Sequence, residues 1–313
     1  MERCGALLGL LPLVVGCVAL GYRRLHAAPS AAPPRSWRIR KSKRNASAPA
    51  LAFVHIPRTG GTAIEDCGQR GGVLWGLRLA AHFEDTQTLG CSWWHVPPSR
   101  LPALAAAPLR RRWRFCVVRH PVTRLLSEFL ASRPSLRRRR PCELARPSTR
   151  SAVRAWQPRI QREFSAWVRR VLGSAAAMQR NFGSDCHFVS QVEYLAAGWR
   201  YAAEVVGDTQ FGDDGAAALV DALVDDGVGC NLVLRHERLR ADFARVMAWA
   251  RLNVTLGARR VVGTAKGVYE LAADERPCAP AEAEALLDAD ARQLVRTAYT
   301  RDLRELEYAE EAR

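Results

Sequence analysis

The 313-residue chain is poor in lysine, with only Lys41, Lys43 and Lys266 among its 47 basic residues. Against 31 acidic residues this leaves a formal net charge of +16, carried almost wholly by arginine. Such a charge predicts an acidic partner, whether a nucleic acid, an anionic membrane or a polyanionic sugar. The arginine runs lack a nucleic-acid recognition module and interleaved aromatic residues, so nucleic acid is the weakest of these three partners.

The metal-binding cysteine patterns are also missing. The chain has no CxxC pair and no cluster of His and Cys at metal-ligand spacing, so we expect no metal site. Seven cysteines lie beyond the N-terminal apolar run: Cys67, Cys91, Cys116, Cys142, Cys186, Cys230 and Cys278. In an oxidising compartment some should pair, and an odd number leaves at least one unpaired or intermolecular. Cys116 and Cys230 lie in apolar strand candidates and are predicted to be buried thiols.

An apolar run of transmembrane length occurs at residues 4–22, which are uncharged and flanked by Arg3 and Arg23. Its length is just sufficient to span a bilayer as a helix. The double arginine that follows is unlike a cleavage region, which favours a signal anchor over a cleaved signal peptide, the alternative. Basic residues are denser after the run, and by the positive-inside rule this would keep the C-terminal side cytosolic.

Composition divides the chain into three predicted regions. Residues 1–24 would form a cytoplasmic tip and anchor, and residues 25–50, rich in Ala, Pro, Ser and basic residues, a flexible stem. Residues 51–313 are long enough for one large domain. Within it, residues 133–158 combine an arginine run with three prolines and are predicted to form a surface loop.

Two segments carry the chemical signal, and the first is FVHIPRTGGTAIE at residues 53–65. It predicts a strand over residues 53–56, a loop, and a helix opened by Thr62. Gly60 and Gly61 allow the backbone to wrap closely around a ligand, and the free amides of a helix N-terminus favour an anion. Arg58 adds a positive charge in the loop.

The second segment, WRFCVVRHPVTRLLSEF at residues 113–129, repeats this arrangement. It predicts a strand over residues 115–118 with Arg119 at its C-terminal end. Pro121 suits a first helical turn, and Ser127 lies further along that helix. Together the segments predict a protein that holds a nucleotide by its phosphates. A Walker A site fits badly, because Gly61 is followed directly by Thr62 rather than by Lys.

The pair resembles the two cofactor-binding motifs of the sulfotransferases, in particular the Golgi carbohydrate enzymes related to heparan sulfate 2-O- and 6-O-sulfotransferases. Their donor is 3'-phosphoadenosine 5'-phosphosulfate, PAPS. The resemblance implies that Arg119 and Ser127 hold the 3'-phosphate. It also implies a 5'-phosphosulfate site formed by Arg58, Thr59, Gly60, Gly61 and Thr62. Arg58 stands where these enzymes usually carry a catalytic Lys, and an Arg keeps the charge without being an equivalent point donor.

The catalytic base is predicted to be His95. Residues 91–98, CSWWHVPP, resemble the family segment that carries the base, and Trp93 and Trp94 are aromatic platforms suited to a sugar face. Histidine is the side chain best poised to accept a proton near neutral pH. His82 is the reserve candidate, and a structural His95 among buried tryptophans is the alternative.

The other histidines are less suited to act as the base. His55 lies in the first of the two predicted phosphate-binding segments, residues 53–65, and His120 in the second, residues 113–129. We call the loops of these segments the first and second anion loops, and a phosphate there would favour the protonated form of both histidines. His187 and His236 lie next to strand candidates and are predicted to be structural. Sulfuryl transfer requires positioning, charge stabilisation and a base, and no metal.

The resemblance continues more weakly through residues 186–195, 233–243 and 299–308, and it makes Gln191, Glu193 and Lys266 candidates for contact with substrate or cofactor. Apolar stripes at residues 160–172 and 239–250 predict core helices. Residues 231–234 predict a buried strand and residues 281–297 one long helix. Strands alternating with helices predict a P-loop-like α/β domain whose mostly parallel sheet is flanked by helices.

The resemblance implies a single-pass type II Golgi membrane enzyme with a luminal domain that transfers sulfuryl from PAPS to a hydroxyl of an anionic carbohydrate. The triplets at Asn45 and Asn253 are glycosylation acceptors in such a compartment. The alternative is a catalytically impaired polysaccharide-binding protein that keeps the fold, which Arg58 favours.

Overall fold

The structure is a computed structural model. It describes residues 51–76, 91–110, 112–133, 151–173, 184–207, 227–257, 260–264, 267–271 and 278–308. The anchor and stem, His82, Lys266 and residues 137–140 lie outside these ranges. Within them, no helix has the length and apolar character needed to cross a membrane.

Six strands are described: β1 Leu51–Phe53, β2 Trp113–Val118, β3 Leu195–Tyr201, β4 Cys230–Arg235, β5 Arg260–Thr264 and β6 Gly267–Leu271. The described α-helices are α1 Gly61–Arg70, α2 Ala103–Ala106, α3 Pro121–Ala131, α4 Ser151–Leu172, α5 Ala202–Gly207, α6 Leu239–Trp249, α7 Pro280–Glu284, α8 Ala289–Ala298 and α9 Thr300–Glu305. Short 3-10 helices occur at Trp93–His95, Pro98–Arg100, Ala107–Leu109, Gln191–Tyr194 and His236–Arg238.

Four parallel strands form one sheet in the order β1-β2-β4-β3, and β5 and β6 form a separate antiparallel pair. Phe53 lies opposite Phe115, and Cys116 lies opposite Val233. Parallel neighbours require crossover connections, and the described crossovers contain helices. The α/β class and the parallel sheet predicted from the sequence are therefore confirmed.

Helices and loops cover both faces of the sheet, which explains why β2 and β4 are buried along their whole length rather than at alternate residues. All residues of both strands are buried. On one face Phe115 and Val117 pack in a cluster with Phe243 of α6, as the stripe at residues 239–250 predicted. On the other face Cys116 and Val118 pack with residues that include Tyr194 and Tyr308. Each such buried side chain contributes roughly 1.5–3 kcal/mol to the free energy of unfolding.

A third apolar cluster lies among α3, α4, α7 and α8. Phe129 of α3 packs on Phe164 of α4 with their ring centroids 5.0 Å apart, and Leu287 and Val295 complete this part of the core. The predicted core stripe at residues 160–172 is confirmed. Packing of this stripe against α3 holds that helix, and with it Ser127, beside the sheet.

Beyond residue 132, two boundary predictions were wrong. Residues 151–158, predicted to belong to a surface loop, form the first turns of α4, which contains Pro158; residues 134–150 lie outside the described residues. The single helix predicted over residues 281–297 is two helices, α7 and α8. The break is stabilised by Asp288, whose side chain accepts a hydrogen bond from the Ala291 amide and whose own amide donates to Ser165 Oγ.

The cysteine chemistry was also mispredicted. Cys116 and Cys230 are fully buried, as expected, but they form a disulfide between the adjacent strands β2 and β4. Apolar strand context predicts burial, whereas pairing depends on which strands become neighbours. A second disulfide joins Cys91 to Cys186, and Cys67 is a buried free thiol. Cys278 is also disulfide-bonded.

Candidate functional site

The first anion loop connects β1 to α1. The assigned strand ends at Phe53, earlier than predicted, although the Val54 amide still donates to the Phe115 carbonyl at 2.9 Å. Arg58 has a φ of 68° and Gly60 a φ of 102°, so the chain turns through two left-handed residues before the helix. Thr59 Oγ1 stabilises the turn by donating to the Ile56 carbonyl at 2.9 Å.

Helix α1 begins at Gly61, one residue before the predicted start, and no described side chain caps its N-terminal amides. A glycine is required there, because a Cβ at Gly61 would lie 2.7 Å from His55 Nε2. His55 is held in this position by a 2.9 Å hydrogen bond between its Nδ1 and Glu65 Oε2. The loop therefore presents uncapped amides and a close backbone surface, which are the features that favour an anion.

The second anion loop connects β2 to α3, and Pro121 occupies the first turn of that helix as predicted. Arg119 Nε donates to Thr123 Oγ1 at 3.1 Å, and its Nη1 donates to the Arg58 carbonyl at 3.3 Å. Gln191 pairs with both backbone groups of Arg119, each at 2.8 Å. Burial lowers the pKa of Arg119 to about 10, so the guanidinium stays charged near neutral pH.

The two loops are in direct contact at the carboxyl ends of β1 and β2. Arg58 Nη2 donates to the Ser127 carbonyl at 2.5 Å and lies 3.3 Å from Ser127 Oγ. Arg58 Nε lies 3.1 Å from Glu128 Oε2. The structure thus brings together Arg58, Arg119 and Ser127, which are 69 residues apart in sequence at most. The carboxyl edge of a parallel sheet is where open α/β folds bind ligands.

His95 lies at the end of the 3-10 helix Trp93–His95 and is held by a carboxylate. Its Nδ1 is 2.8 Å from Asp185 Oδ2, while Asp185 Oδ1 accepts from the Ser92 amide at 2.5 Å. Tyr194 Oη donates to the His95 carbonyl at 2.6 Å. The Cys91–Cys186 disulfide lies next to both partners and ties their two segments together.

Protonation states in this pair favour a neutral imidazole. Burial lowers the pKa of His95, and this effect is larger than the opposing effect of the hydrogen bond that His95 Nδ1 donates to Asp185. Burial opposes ionisation of Asp185, but hydrogen bonds from His95 and Ser92 lower its pKa to about 2. With Nδ1 donating to a carboxylate, the Nε2 lone pair is free to accept a proton.

His95 is the middle of three adjacent imidazoles, each paired with a different carboxylate. Its ring centroid lies 5.0 Å from that of His55 and 5.0 Å from that of His187. His187 Nδ1 is 2.9 Å from Glu128 Oε2, and His55 Nδ1 is 2.9 Å from Glu65 Oε2. Since Glu128 also contacts an arginine of the first anion loop, the row connects the predicted base to the predicted phosphate site.

Sequence reasoning missed Asp185 and Glu128 and placed His187 among structural residues. A weak signal was present, because Asp185 directly precedes the segment whose resemblance begins at Cys186. Gln191, a candidate for substrate contact, is buried beneath Arg119, and its backbone amide donates to Asp302 Oδ2 at 3.0 Å. Glu193 forms an ion pair with Arg301 at 2.8 Å and is not placed at the anion loops by any described contact.

A polar cavity of about 460 Å³ lies at the carboxyl ends of β3 and β4. Its lining includes Tyr201, Arg235, Glu237 and Arg238. Glu237 connects it to the second anion loop, because its Oε1 accepts from the His120 amide at 3.0 Å. The cavity therefore adjoins the Arg119 side of the site.

Comparison with known proteins gives no match, whether to a protein-family model, to a curated protein or to a solved structure. The contacts described above are therefore the basis on which a function is proposed.

Proposed function

We propose that this protein is a PAPS-dependent sulfotransferase that moves a sulfuryl group to a hydroxyl of a carbohydrate. The observation that carries this proposal is the contact between the two anion loops, Arg58 to Ser127 and Arg119 to Arg58, beside the His95–Asp185 pair. Two loops that would each bind a phosphate, beside a histidine that would act as base, suit transfer from a nucleotide that carries phosphates at its 3' and 5' positions.

In this proposal the loop from Arg58 to Thr62 binds the 5'-phosphosulfate, with the amides at the start of α1 directed at its oxygens. Arg119 and Ser127 bind the 3'-phosphate. Arg119 suits this role because it is charged, partly desolvated and fixed by Thr123 and Gln191, so little side-chain entropy is lost on binding.

The chemical step needs one bond to form and one to break. The acceptor oxygen attacks sulfur, the bond between sulfur and the bridging phosphate oxygen breaks, and His95 Nε2 takes the hydroxyl proton. Asp185 holds the ring and stabilises the imidazolium that results. Arg58 stabilises charge on the leaving oxygen, and adenosine 3',5'-bisphosphate departs.

The alternative is a catalytically impaired polysaccharide-binding protein with the same fold. It is favoured by Arg58 in the place of the usual Lys, and by the contacts that this guanidinium already makes with Ser127 and Glu128. Turnover of radiolabelled PAPS separates the two functions. If Arg58 impairs catalysis, Arg58→Lys should turn over where the wild type does not.

The direct test is a screen of carbohydrate acceptors with radiolabelled PAPS and the full-length protein. Transfer of label to a glycan supports the proposal. Absence of transfer to any acceptor, together with equal affinity for adenosine 3',5'-bisphosphate and AMP, would contradict it, since only the bisphosphate occupies both phosphate sites.

The acceptor in this proposal is anionic, because the chain has a formal net charge of +16. Attraction of this kind is screened over about 8 Å at physiological salt, so the KM for the acceptor should rise with salt concentration. Replacing the four arginines at residues 137–140 with Ser should also raise the acceptor KM and leave PAPS binding unchanged. Unchanged acceptor kinetics would show that these four arginines are solvated surface residues with no role in binding the acceptor.

The compartment proposed is the Golgi lumen, with the chain anchored as a single-pass type II membrane protein. Asn253 is exposed, as a glycosylation acceptor must be. Expression in a secretory host should give a glycoprotein whose mobility shifts on endoglycosidase treatment, and Asn253→Gln removes one such site. Full protease sensitivity in intact microsomes without any shift would place the domain in the cytosol.

A further inference from the structure

Three potential ligand groups for a metal ion converge beside the anion loops. One ring nitrogen of His95, one ring nitrogen of His187 and a carboxylate oxygen of Asp185 all lie within 4.8 Å of one another. Asp185 Oδ2 is 2.8 Å from His95 Nδ1 and 3.6 Å from His187 Nε2. Two imidazoles and one carboxylate are a donor set that zinc and related divalent transition metals favour.

The spacing suits such an ion. Zinc–nitrogen and zinc–oxygen bonds are about 2.0–2.2 Å, so two ligand atoms in a tetrahedral site lie about 3.3 Å apart. The observed separations of 2.8 and 3.6 Å fall on either side of that value. Both separations that involve Asp185 Oδ2 are therefore within about 0.5 Å of the tetrahedral value, and the three ligand atoms all lie within 4.8 Å of one another.

Surrounding contacts already orient the ligands. His187 Nδ1 lies 2.9 Å from Glu128 Oε2, which is the carboxylate support that a metal-binding histidine usually has on its second nitrogen. The Ser92 amide holds Asp185 through Oδ1 and leaves Oδ2 for the ion. The Asp185 side chain is 40% exposed, so an ion can reach the cluster from solvent.

We propose that His95, Asp185 and His187 bind a divalent transition metal ion, with zinc as the reference ion and Glu128 positioning His187. Three protein ligands leave a further coordination position for solvent. Hard cations such as magnesium and calcium, which prefer oxygen ligands, are not expected to bind here.

The consequence for catalysis rests on the proposed function. A neutral imidazole bound to metal through Nδ1 carries its proton on Nε2, the atom proposed to accept the acceptor proton. A bound ion and a competent base therefore exclude each other. Zinc should inhibit sulfuryl transfer, and a chelator should restore it.

The test is isothermal titration of the full-length, untagged protein with zinc chloride, with magnesium chloride as the control ion. His187→Ala and Asp185→Asn should each weaken zinc binding by at least about tenfold, and Glu128→Gln by about 10- to 100-fold. Asn is chosen because it tolerates the φ of 54° at position 185 and keeps an oxygen for the Ser92 amide. The matched control is His236→Gln, which should bind zinc like the wild type.

Absence of zinc binding to the wild type, or binding that survives both His187→Ala and Asp185→Asn, would overturn the site. Melting temperatures identify a variant that fails to fold. If a variant does not fold, chemical modification of the histidines of the wild type tests the metal site instead. Zinc should protect His95 and His187, but not His236, from the modifying reagent. Zinc binding without PAPS turnover would contradict only the proposed function, and turnover without zinc binding would contradict only the metal site.

Discussion

His95 Nδ1 lies 2.8 Å from Asp185 Oδ2, although the two residues are 90 positions apart in the chain. Asp185 has a φ of 54° and is fixed by the Ser92 amide and by the neighbouring disulfide at Cys186. A carboxylate held this firmly sets the ring orientation and the tautomer of the imidazole. The arrangement leaves the Nε2 lone pair available to accept a proton.

Loss of the imidazole should affect turnover selectively. His95→Ala should lower kcat by about 10²- to 10⁴-fold, because the proposed role of His95 as a general base is confined to the transition state. Affinity for adenosine 3',5'-bisphosphate and the melting temperature should stay nearly constant. Asp185→Asn should give a smaller loss of kcat and a changed pH profile, which a merely structural residue would not produce.

His82, the reserve candidate for the base, provides the comparison for His95. His82→Ala, measured in the same three assays, should retain near-normal turnover. If it loses turnover and His95→Ala does not, the base is misassigned. If His95→Ala loses melting temperature in step with activity, His95 is a structural residue.

Arg119 should determine the preference for a nucleotide with a 3'-phosphate. Charge-assisted hydrogen bonds contribute about 1.5–3 kcal/mol, so Arg119→Ala should weaken affinity for adenosine 3',5'-bisphosphate by at least about tenfold. Affinity for AMP, which lacks that phosphate, should change less. Arg119→Lys is the matched variant, since it keeps the charge and loses the bond to Thr123. Its affinity for adenosine 3',5'-bisphosphate should lie between those of the wild type and Arg119→Ala. Equal calorimetric affinity of the wild type for both nucleotides would reject the assignment.

The sequence predicted the parallel sheet and the strand–loop–helix order of the two motif segments because their signals are local. A short apolar run ending at Val118, followed by a basic residue and a proline, specifies strand, loop and helix without reference to the rest of the chain. The stripe from Ile160 to Leu172 is equally local, since helical spacing alone identifies its buried face.

Features that depend on distant contacts were not predictable in this way. The break between α7 and α8 depends on Ser165, which receives the Asp288 amide from 123 residues away. The Cys116–Cys230 disulfide depends on β2 and β4 being neighbours in the sheet. Asp185 contributes to the candidate site through its contact with His95, and no sequence spacing specifies that contact.

The Cys91–Cys186 disulfide should matter for activity, and the Cys116–Cys230 disulfide mainly for stability. The two bonds close loops of similar size, with sequence separations of 95 and 114 residues, so chain entropy predicts similar stabilisation, about 4–5 kcal/mol at most. Only the first lies beside the His95–Asp185 pair. Replacing Cys91 and Cys186 with Ala should therefore lower the melting temperature and also lower kcat at least tenfold at temperatures where the variant is folded, on the order expected for a displaced catalytic group.

The matched control replaces Cys116 and Cys230 with Ala. This variant should lose a comparable amount of melting temperature and keep its kcat. Circular dichroism and PAPS turnover, measured together, separate the two effects. Equal losses of kcat in both double variants would show that the Cys91–Cys186 disulfide has no particular role in placing the base.

His120 should make stability depend on acid pH. Its ring is buried against Tyr308 and beside Arg119, and burial, with a smaller contribution from that charge, lowers its pKa to about 4 from 6.5. Between these values the unfolded chain binds more protons than the folded one. The contribution of the neutral His120 ring to the free energy of unfolding is therefore complete above pH 6.5 and is lost as the pH falls towards 4.

The shift in pKa corresponds to about 3 kcal/mol of unfolding free energy. His120→Asn, neutral and compatible with the start of α3, should flatten this part of the profile in urea unfolding, while the lowered pKa values of His95 and His236 leave a residual slope. A variant whose unfolding free energy falls as steeply as that of the wild type between pH 7 and pH 4 would show that His120 is not a buried neutral group.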